Sequence, residues 1–568
     1  MNIYTKSNAE YTLGKKKAPL VLKNGRVFNV FTNEIIRADV ALADGMIVGI
    51  GEYEGEREEN LDGRYVVPGF MDAHLHLEST LLNPTQLISQ ALIRGTTTYI
   101  VDPHEAANVS GLDGIRYIIE ETRQCRANVY VMAPSCVPSV PFEKSGARIE
   151  AEDMEGMLSW PEILGLGEVM DVPAVLNLED GMMKKLSLFR ERGRVIDGHG
   201  GSLDERESAL CRMAGIRTDH ECTTYEDAMR EARNGIHILI REGTAARNLT
   251  AIVRGILEHG TSTDSFSFCT DDKHIEDIIR DGHISHNIRK AISLGLDPRE
   301  AYKMATIHTA RCYHLDGLGA VAPGYQADLV VLDDFEKVAI HSVYYRGERV
   351  QGILPKPCRI PKPLLNTVHV DYPGIEVFRM PLETGRQPVI EVQPGEIVTK
   401  LSFEDVPVEN GRFAPSDTHQ KLLLFERHHG TGMVGKGILK GFSIRGGALA
   451  STVGHDSHNL IVIGDDDESM DRALRELIRV QGGYTVVKKG TEPMTLPLEI
   501  MGLMTAVPYQ DVQKRLKKMI EEAHSLGVPS GIDPFITMSF LALPVIPEVR
   551  ITPMGVYDTK QSCWYQVK

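Results

Sequence analysis

A chain of 568 residues, 42% hydrophobic and 25% charged, has the make-up of a globular protein with room for roughly three or four domain-sized units. Its net charge of -16 at neutral pH disfavours a sequence-independent grip on nucleic acid phosphates, and no apolar run reaches the roughly 18 to 20 residues that a membrane-spanning helix needs. The segment around Lys15-Lys16-Lys17 does not read as a signal peptide, and the eight cysteines lack C-x-x-C spacing, so a cytoplasmic protein with reduced thiols and no membrane partner is expected.

Residues 19–67 alternate short apolar runs with turns. Leu20-Val21-Leu22, Arg26-Val27-Phe28, Ala38 to Leu42 and Ile47 to Ile50 are separated by Asn24-Gly25 and Asp44-Gly45, both hairpin signals. This predicts a small sheet domain that is incomplete. Its missing part is expected at Gly324 to Leu332 and Val343 to Gly347, which makes the central unit an insertion.

Next comes Val66-Val67-Pro68-Gly69-Phe70-Met71-Asp72-Ala73-His74-Leu75-His76-Leu77-Glu78-Ser79. In a strand, side chains two apart share a face, so His74 and His76 form a two-armed metal claw. Between the two halves of the sheet domain, β-rich runs alternate with helix-like ones such as Asp113 to Thr122, Ala209 to Met213 and Tyr225 to Asn234. The candidate strands are Val67 to Leu77, Thr97 to Asp102, Val129 to Pro134, Ile163 to Met170, Arg194 to Gly198, Ile216 to Glu221, His237 to Arg241 and Ser265 to Asp271. Eight strand-helix units in about 250 residues have the size of a (β/α)8 barrel, whose active sites lie at the C-terminal strand ends. The polar residues fall there: His74 and His76, Asp102 with His104 and Glu105, Glu168, His199, His220 and Asp271. Each alone is weak evidence, and together they form a metal-binding set delivered by strand ends.

Pro355-Lys356-Pro357, with Pro361 and Pro363, marks a linker. The region beyond it carries strand-like runs at Lys421 to Phe425, Leu460 to Gly464 and Tyr484 to Lys488. It also carries two amphipathic helices with stripes Met470, Ala473, Leu474, Leu477, Ile478 and Val512, Leu516, Met519, Ile520, Ala523. His455 to Asn459 and Arg427 to Gly430 carry polar side chains that could reach a site or a metal, the favoured reading being polar loops that join strands. The expected fold class is α/β: a (β/α)8 TIM-like barrel (67–323) inserted in a small composite β-sheet domain (1–66 and 324–365), with a C-terminal α+β domain (366–568).

Pro68-Gly69-Phe70-Met71-Asp72-Ala73-His74-Leu75-His76 resembles the first-strand signature of the amidohydrolase superfamily, and Gly324 to Val330 resembles the return into its flanking sheet. Within that superfamily the chain is most similar to the bacterial adenine deaminases. Val101-Asp102-Pro103-His104-Glu105, Gly167-Glu168-Val169-Met170, Asp197-Gly198-His199, Thr218-Asp219-His220-Glu221, Cys269-Thr270-Asp271-Asp272 and Pro529 to Phe535 carry the likeness. The resemblance implies hydrolytic deamination of adenine to hypoxanthine and ammonia, with adenine and water as small-molecule partners, and a homo-oligomer. Many two-metal relatives bridge with a carboxylated lysine, whereas Glu168 can bridge unmodified. The expected centre is therefore binuclear, with His74, His76, Glu168 and Asp271 around one cation and Glu168, His199 and His220 around the other. The resemblance implies Mn²⁺ or Fe²⁺, with Zn²⁺ compatible. Asp271 is the expected proton acceptor and Glu78 the expected acid near ring N1. Asp102, His104, Arg241 and Glu242 are expected to orient ligands or contact the base. The competing readings are another amidohydrolase acting on a cyclic amide or N-acyl substrate, and a non-catalytic barrel scaffold.

Overall fold

The computed structural model describes residues 5–567 except 245, 353–358, 383–384 and 395. The Pro355-Lys356-Pro357 part of the expected linker therefore lies outside the described residues, whereas Pro361 caps, and Pro363 lies within, a short 3-10 turn, Lys362–Leu365.

The first sheet is built from β1 (Ala18–Asn29), β2 (Glu34–Ala43), β3 (Met46–Gly51), β4 (Gly55–Asn60) and β5 (Tyr65–Pro68). Asp44-Gly45 turns the chain between β2 and β3 with positive φ at both residues, the geometry that a two-residue hairpin requires. Asn24-Gly25 does not form the expected hairpin. It sits inside β1 as an irregularity in the pairing with β2, and Asn24, at φ 57°, turns its N–H to Asp39 Oδ1 at 2.9 Å.

From β5 the chain enters eight strands: β6 (Phe70–Leu75), β7 (Thr96–Val101), β8 (Asn128–Ala133), β9 (Ile163–Val169), β10 (Val195–Gly198), β11 (Thr218–Asp219), β12 (His237–Arg241) and β13 (Phe266–Cys269). Pairing from β6 to β10 and from β11 to β13 is parallel throughout. Arg217 N–H donates to Ile196 O at 2.9 Å, joining β10 to β11. Asp271 N–H donates to His74 O at 3.0 Å, joining the end of β13 back to β6. The sheet thus curls into a TIM-like barrel. Its interior is filled by Met71, Ala73, Ile100, Met132, Val195, Leu239 and Cys269, so the cavity is confined to the mouth. Tyr313 packs in the same interior cluster, its hydroxyl within hydrogen-bond reach of Ala73 O (2.8 Å) and the buried Asp197 carboxylate (3.1 Å).

After the barrel, β14 (Leu329–Asp334), β15 (Ala339–Tyr345) and β16 (Glu348–Arg349) join the first sheet in the order β16-β15-β14-β5-β1-β2-β3, with β14 antiparallel to β5 and β4 paired to β1. Beyond them, an eight-stranded sheet spans Arg386 to Pro497. The helix Asp467–Val480 packs on it through Met470, Ala473, Leu474 and Leu477, and the helix Tyr509–Ser525 buries Val512, Leu516, Met519 and Ala523. Leu82, Leu87 and Tyr99 of the barrel share one apolar cluster with Leu422, Ile461, Phe535 and Met538 of the C-terminal region. The two are therefore one packed body at the barrel mouth.

Tyr313→Phe removes a hydroxyl bonded to two buried acceptors. It should lower unfolding stability by about 1 to 3 kcal/mol, read from the denaturation midpoint; an unchanged midpoint would remove Tyr313 from this role.

Candidate metal centre

His74 lies one residue before the end of β6 and His76 one residue after it, so both rings face the mouth, with their Nε2 atoms 3.1 Å apart. His76 Nδ1 lies 2.8 Å from Asp102 O. A carbonyl only accepts, so the ring hydrogen is on Nδ1 and the Nε2 lone pair faces inward. Glu168, at the end of β9, is the hub. Its Oε2 lies 2.7 Å from His199 Nδ1, 3.0 Å from His220 Nε2 and 3.9 Å from His74 Nε2. Its Oε1 lies 3.1 Å from His104 Nδ1 and 3.5 Å from His76 Nε2. Two glycines make that approach possible: a Cβ on Gly167 would stand 2.2 Å from Asp102 Oδ2, and one on Gly165 2.2 Å from Val195 O. In the space so left, Asp102 Oδ2 accepts the Glu168 N–H at 2.9 Å and fixes the hub.

Asp271 stands just past β13 with a left-handed backbone, φ 54°. That turn sets its Oδ1 3.1 Å from His76 Nε2 and 3.7 Å from His74 Nε2, while Arg241 Nη1 donates to Oδ2 at 2.8 Å. Arg241 also makes a two-pronged contact with Glu221. Burial opposes charge on Glu168, yet His199 and His220 hold its carboxyl well below the usual range. Burial opposes charge on Asp271 too, and Arg241 overcomes it in the same direction. For His74, burial first and His220 second push the ring well below its ordinary value, leaving a neutral imidazole.

Nitrogen and carboxylate donors of His74, His76 and Asp271, of His74, Glu168 and His220, and of His199, His220 and Glu221 each lie within 4.8 Å of one another. Imidazole nitrogens and carboxylate oxygens packed this closely, with no thiolate among them, make a donor set that fits one or more divalent cations.

Two of the expected site residues lie elsewhere. Glu78 falls in a 3-10 turn, Leu77–Thr80, where its Oε1 accepts the Ala106 N–H at 3.0 Å at the start of the helix His104–Thr122. Burial pushes its carboxyl up to about 7. Glu242 points away from Arg241 to Lys290 Nζ, 2.7 Å distant. Sequence reasoning counted Glu105 only in the general strand-end set and gave no role to Glu221, both of which line the cavity, and it favoured a plain loop for His455 to Asn459. Instead Glu105 binds His455 Nδ1 with one oxygen and His458 Nε2 with the other. His455 and Asp456, with Ile397, Phe540, Leu543 and Ile546, close the cavity over the centre. Arg427 is wholly buried and reaches His458 O and Met501 O, bracing the same loop.

The amidohydrolase family pattern matches residues 65–350, and the adenine deaminase C-terminal domain matches residues 396–563. The adenine deaminase of Desulfitobacterium hafniense (strain Y51) is 52% identical over 550 residues, covering 96% of each chain. The chain belongs to the adenine deaminase family of amidohydrolases. The adenine deaminase of Clostridium acetobutylicum is 43% identical, covering 97% of each chain. Among solved structures, the β-aspartyl dipeptidase of Fervidobacterium islandicum AW-1 aligns at TM-score 0.46 and 18% identity, over 60% of this chain and 99% of that one. Amidohydrolases are a metal-dependent family, in keeping with the donor set at the barrel mouth.

Asp102→Ala removes the group that fixes the Glu168 backbone. It should weaken metal binding about 10- to 100-fold, measured by competition with a chelator. Glu168→Gln should strip most bound cation while the circular dichroism spectrum stays native; full occupancy would take Glu168 out of the centre.

Proposed function

We propose that this protein hydrolyses adenine at C6, giving hypoxanthine and ammonia. The observation that carries the reading is identity of 52% and 43%, over nearly the whole chain, to proteins named adenine deaminase, a match that extends through the C-terminal region covering the cavity. Residues 1–66 with 324–365, 67–323 and 366–568 are the folding units we assign, with the barrel inserted in the sheet domain; the antiparallel pairing of β14 with β5 supports this.

His74, His76, Glu168 and Asp271 would hold one divalent cation, and Glu168, His199 and His220 a second, with Glu168 between them. Mn²⁺ is our choice, Fe²⁺ or Zn²⁺ suiting the same donors. When bound, such cations lower the pKa of water, so that hydroxide is at hand near neutral pH. The chain's own residues do the rest. Asp271, its Oδ2 held by Arg241, offers Oδ1 to take a proton from the attacking water and to return it to the departing amine. Of the two water protons one ends on N1 and the other on ammonia, so one water is consumed and one ammonia released. Glu78 is given no step in this chemistry, its Oε1 being held by the Ala106 N–H. Arg241 and Glu221, paired on the wall, orient Asp271. His104 and Asp102 orient Glu168. Ile397, Phe540, Leu543 and Ile546 exclude bulk water. No helix among the described residues is long and apolar enough to cross a membrane. We further propose a homo-oligomer working in the cytoplasm, to be sized by sedimentation velocity.

Protein reloaded with Mn²⁺ should release ammonia from adenine and lose that activity on chelation. Asp271→Asn should stay folded and lose at least about 100-fold in kcat, the lower end of what a positioned general base contributes, with metal content measured alongside because Asp271 is also an assigned ligand. Near-normal turnover by this variant would sink the assignment.

A further inference from the structure

Among the side chains that cover the barrel mouth, Asp456 is the one whose charge is left uncommitted. It is 2% exposed and lines the cavity beside His104 and Phe540, and its Oδ2 has no hydrogen-bond partner among the described residues. Its Oδ1 lies 3.8 Å from His104 Nε2, beyond hydrogen-bond length. A buried carboxylate oxygen in that condition costs free energy until a ligand satisfies it.

Its neighbours in the loop are all engaged. His455 and His458 hold the two oxygens of Glu105, Ser457 donates to Glu143, and Asn459 Nδ2 donates to Lys144 O at 2.8 Å. The Gly454 N–H donates to His458 Nδ1 at 3.2 Å, which leaves the ring hydrogen on Nε2, facing Glu105. The Glu105, His455 and His458 group is therefore a hydrogen-bonded tie between barrel and C-terminal region rather than another cation site. The loop is clamped on both sides of Asp456, and the carboxylate is fixed over the cavity.

The cavity is lined by ligand-cluster residues of the barrel and by Asp456 and Phe540 of the C-terminal region, so a purine presenting C6 to the cluster would turn its imidazole edge toward that cover. In free adenine that edge carries one N–H, at N9 or N7; in a nucleoside the hydrogen is replaced by carbon. We propose that Asp456 accepts this N–H and so selects the free base, an assignment that rests on the adenine-hydrolysing reading above. Phe540, Leu543 and Ile546 present apolar surface to the same space, which suits the faces of a base and not a ribose.

The test compares kcat/KM of the metal-loaded wild type, Asp456→Ala and Asp456→Asn for adenine, 9-methyladenine and 7-methyladenine; both methylated bases lack the ring N–H. Wild type should favour adenine strongly. Asp456→Ala should lose about 10- to 100-fold on adenine, as expected when a charged acceptor is removed, and little on the methylated bases, so the preference collapses while metal content is unchanged. Asp456→Asn keeps the shape and one acceptor oxygen and should fall between; it carries the comparison if the alanine variant does not fold. Unchanged adenine kinetics in the variants, or equal losses on all three bases, would overturn the assignment. If wild type released no ammonia from adenine, the functional reading would fail separately. Calorimetric binding of adenine to wild type and variant would then decide, and equal binding or none would overturn the role of Asp456.

Discussion

A buried carboxylate ringed by imidazoles is the constraint on which the rest of this structure depends. Taking an anion such as Glu168 out of water costs several kcal/mol unless positive or hydrogen-bonding groups replace the solvent. Here the replacements come from separate strand ends: His74 and His76 at the end of β6, His104 after β7, His199 after β10 and His220 after β11. The backbone of Glu168 is held as well, its N–H by Asp102 and its carbonyl by Ser135. Such a set meets only if every contributing strand is in register. A one-residue slip of β9 would turn Glu168 to the outside and bring Glu168's neighbours inward.

The barrel and most of this cluster were legible in the sequence because they follow short-range periodicities. All eight candidate strands overlap observed ones, and the His-x-His pair works as the alternation of strand side chains requires. The misreadings have equally local causes. Glu78 was placed on the side of His76 by continuing a period of two, but β6 ends at Leu75 and a 3-10 turn from Leu77 redirects the chain. Arg241 and Glu242 were taken together, although neighbours at a strand end face opposite ways; Arg241 reaches Asp271 and Glu242 reaches Lys290. Asn24-Gly25 has the composition of a hairpin turn, yet tertiary pairing with β2 extends the strand straight through it.

The covering loop was legible only as a polar segment that could reach a site, for a different reason. His455 and Glu105 are 350 positions apart, and no local pattern in either segment announces that they will meet. Composition alone makes His455 to Asn459 a polar linker between strands; only packing turns it into a wall of the cavity. The same distance explains why Arg427, wholly buried, gave no sign of its role as a brace.

The C-terminal region is thus a condition for the centre and not an appendage to a finished barrel. Without it, Glu105 would lose both of its imidazole partners, and the apolar face around Leu82 and Leu87 would be left to water. Ile397, Phe540, Leu543 and Ile546 also replace solvent at the mouth, and charges beneath them then interact through a medium of lower dielectric than water. That strengthens the hold of Arg241 on Asp271 and of the histidines on Glu168. The packing that joins the two regions and the electrostatics that ready the centre are consequences of one contact surface, so a substitution that loosens the cover weakens the centre even where it touches none of its ligands.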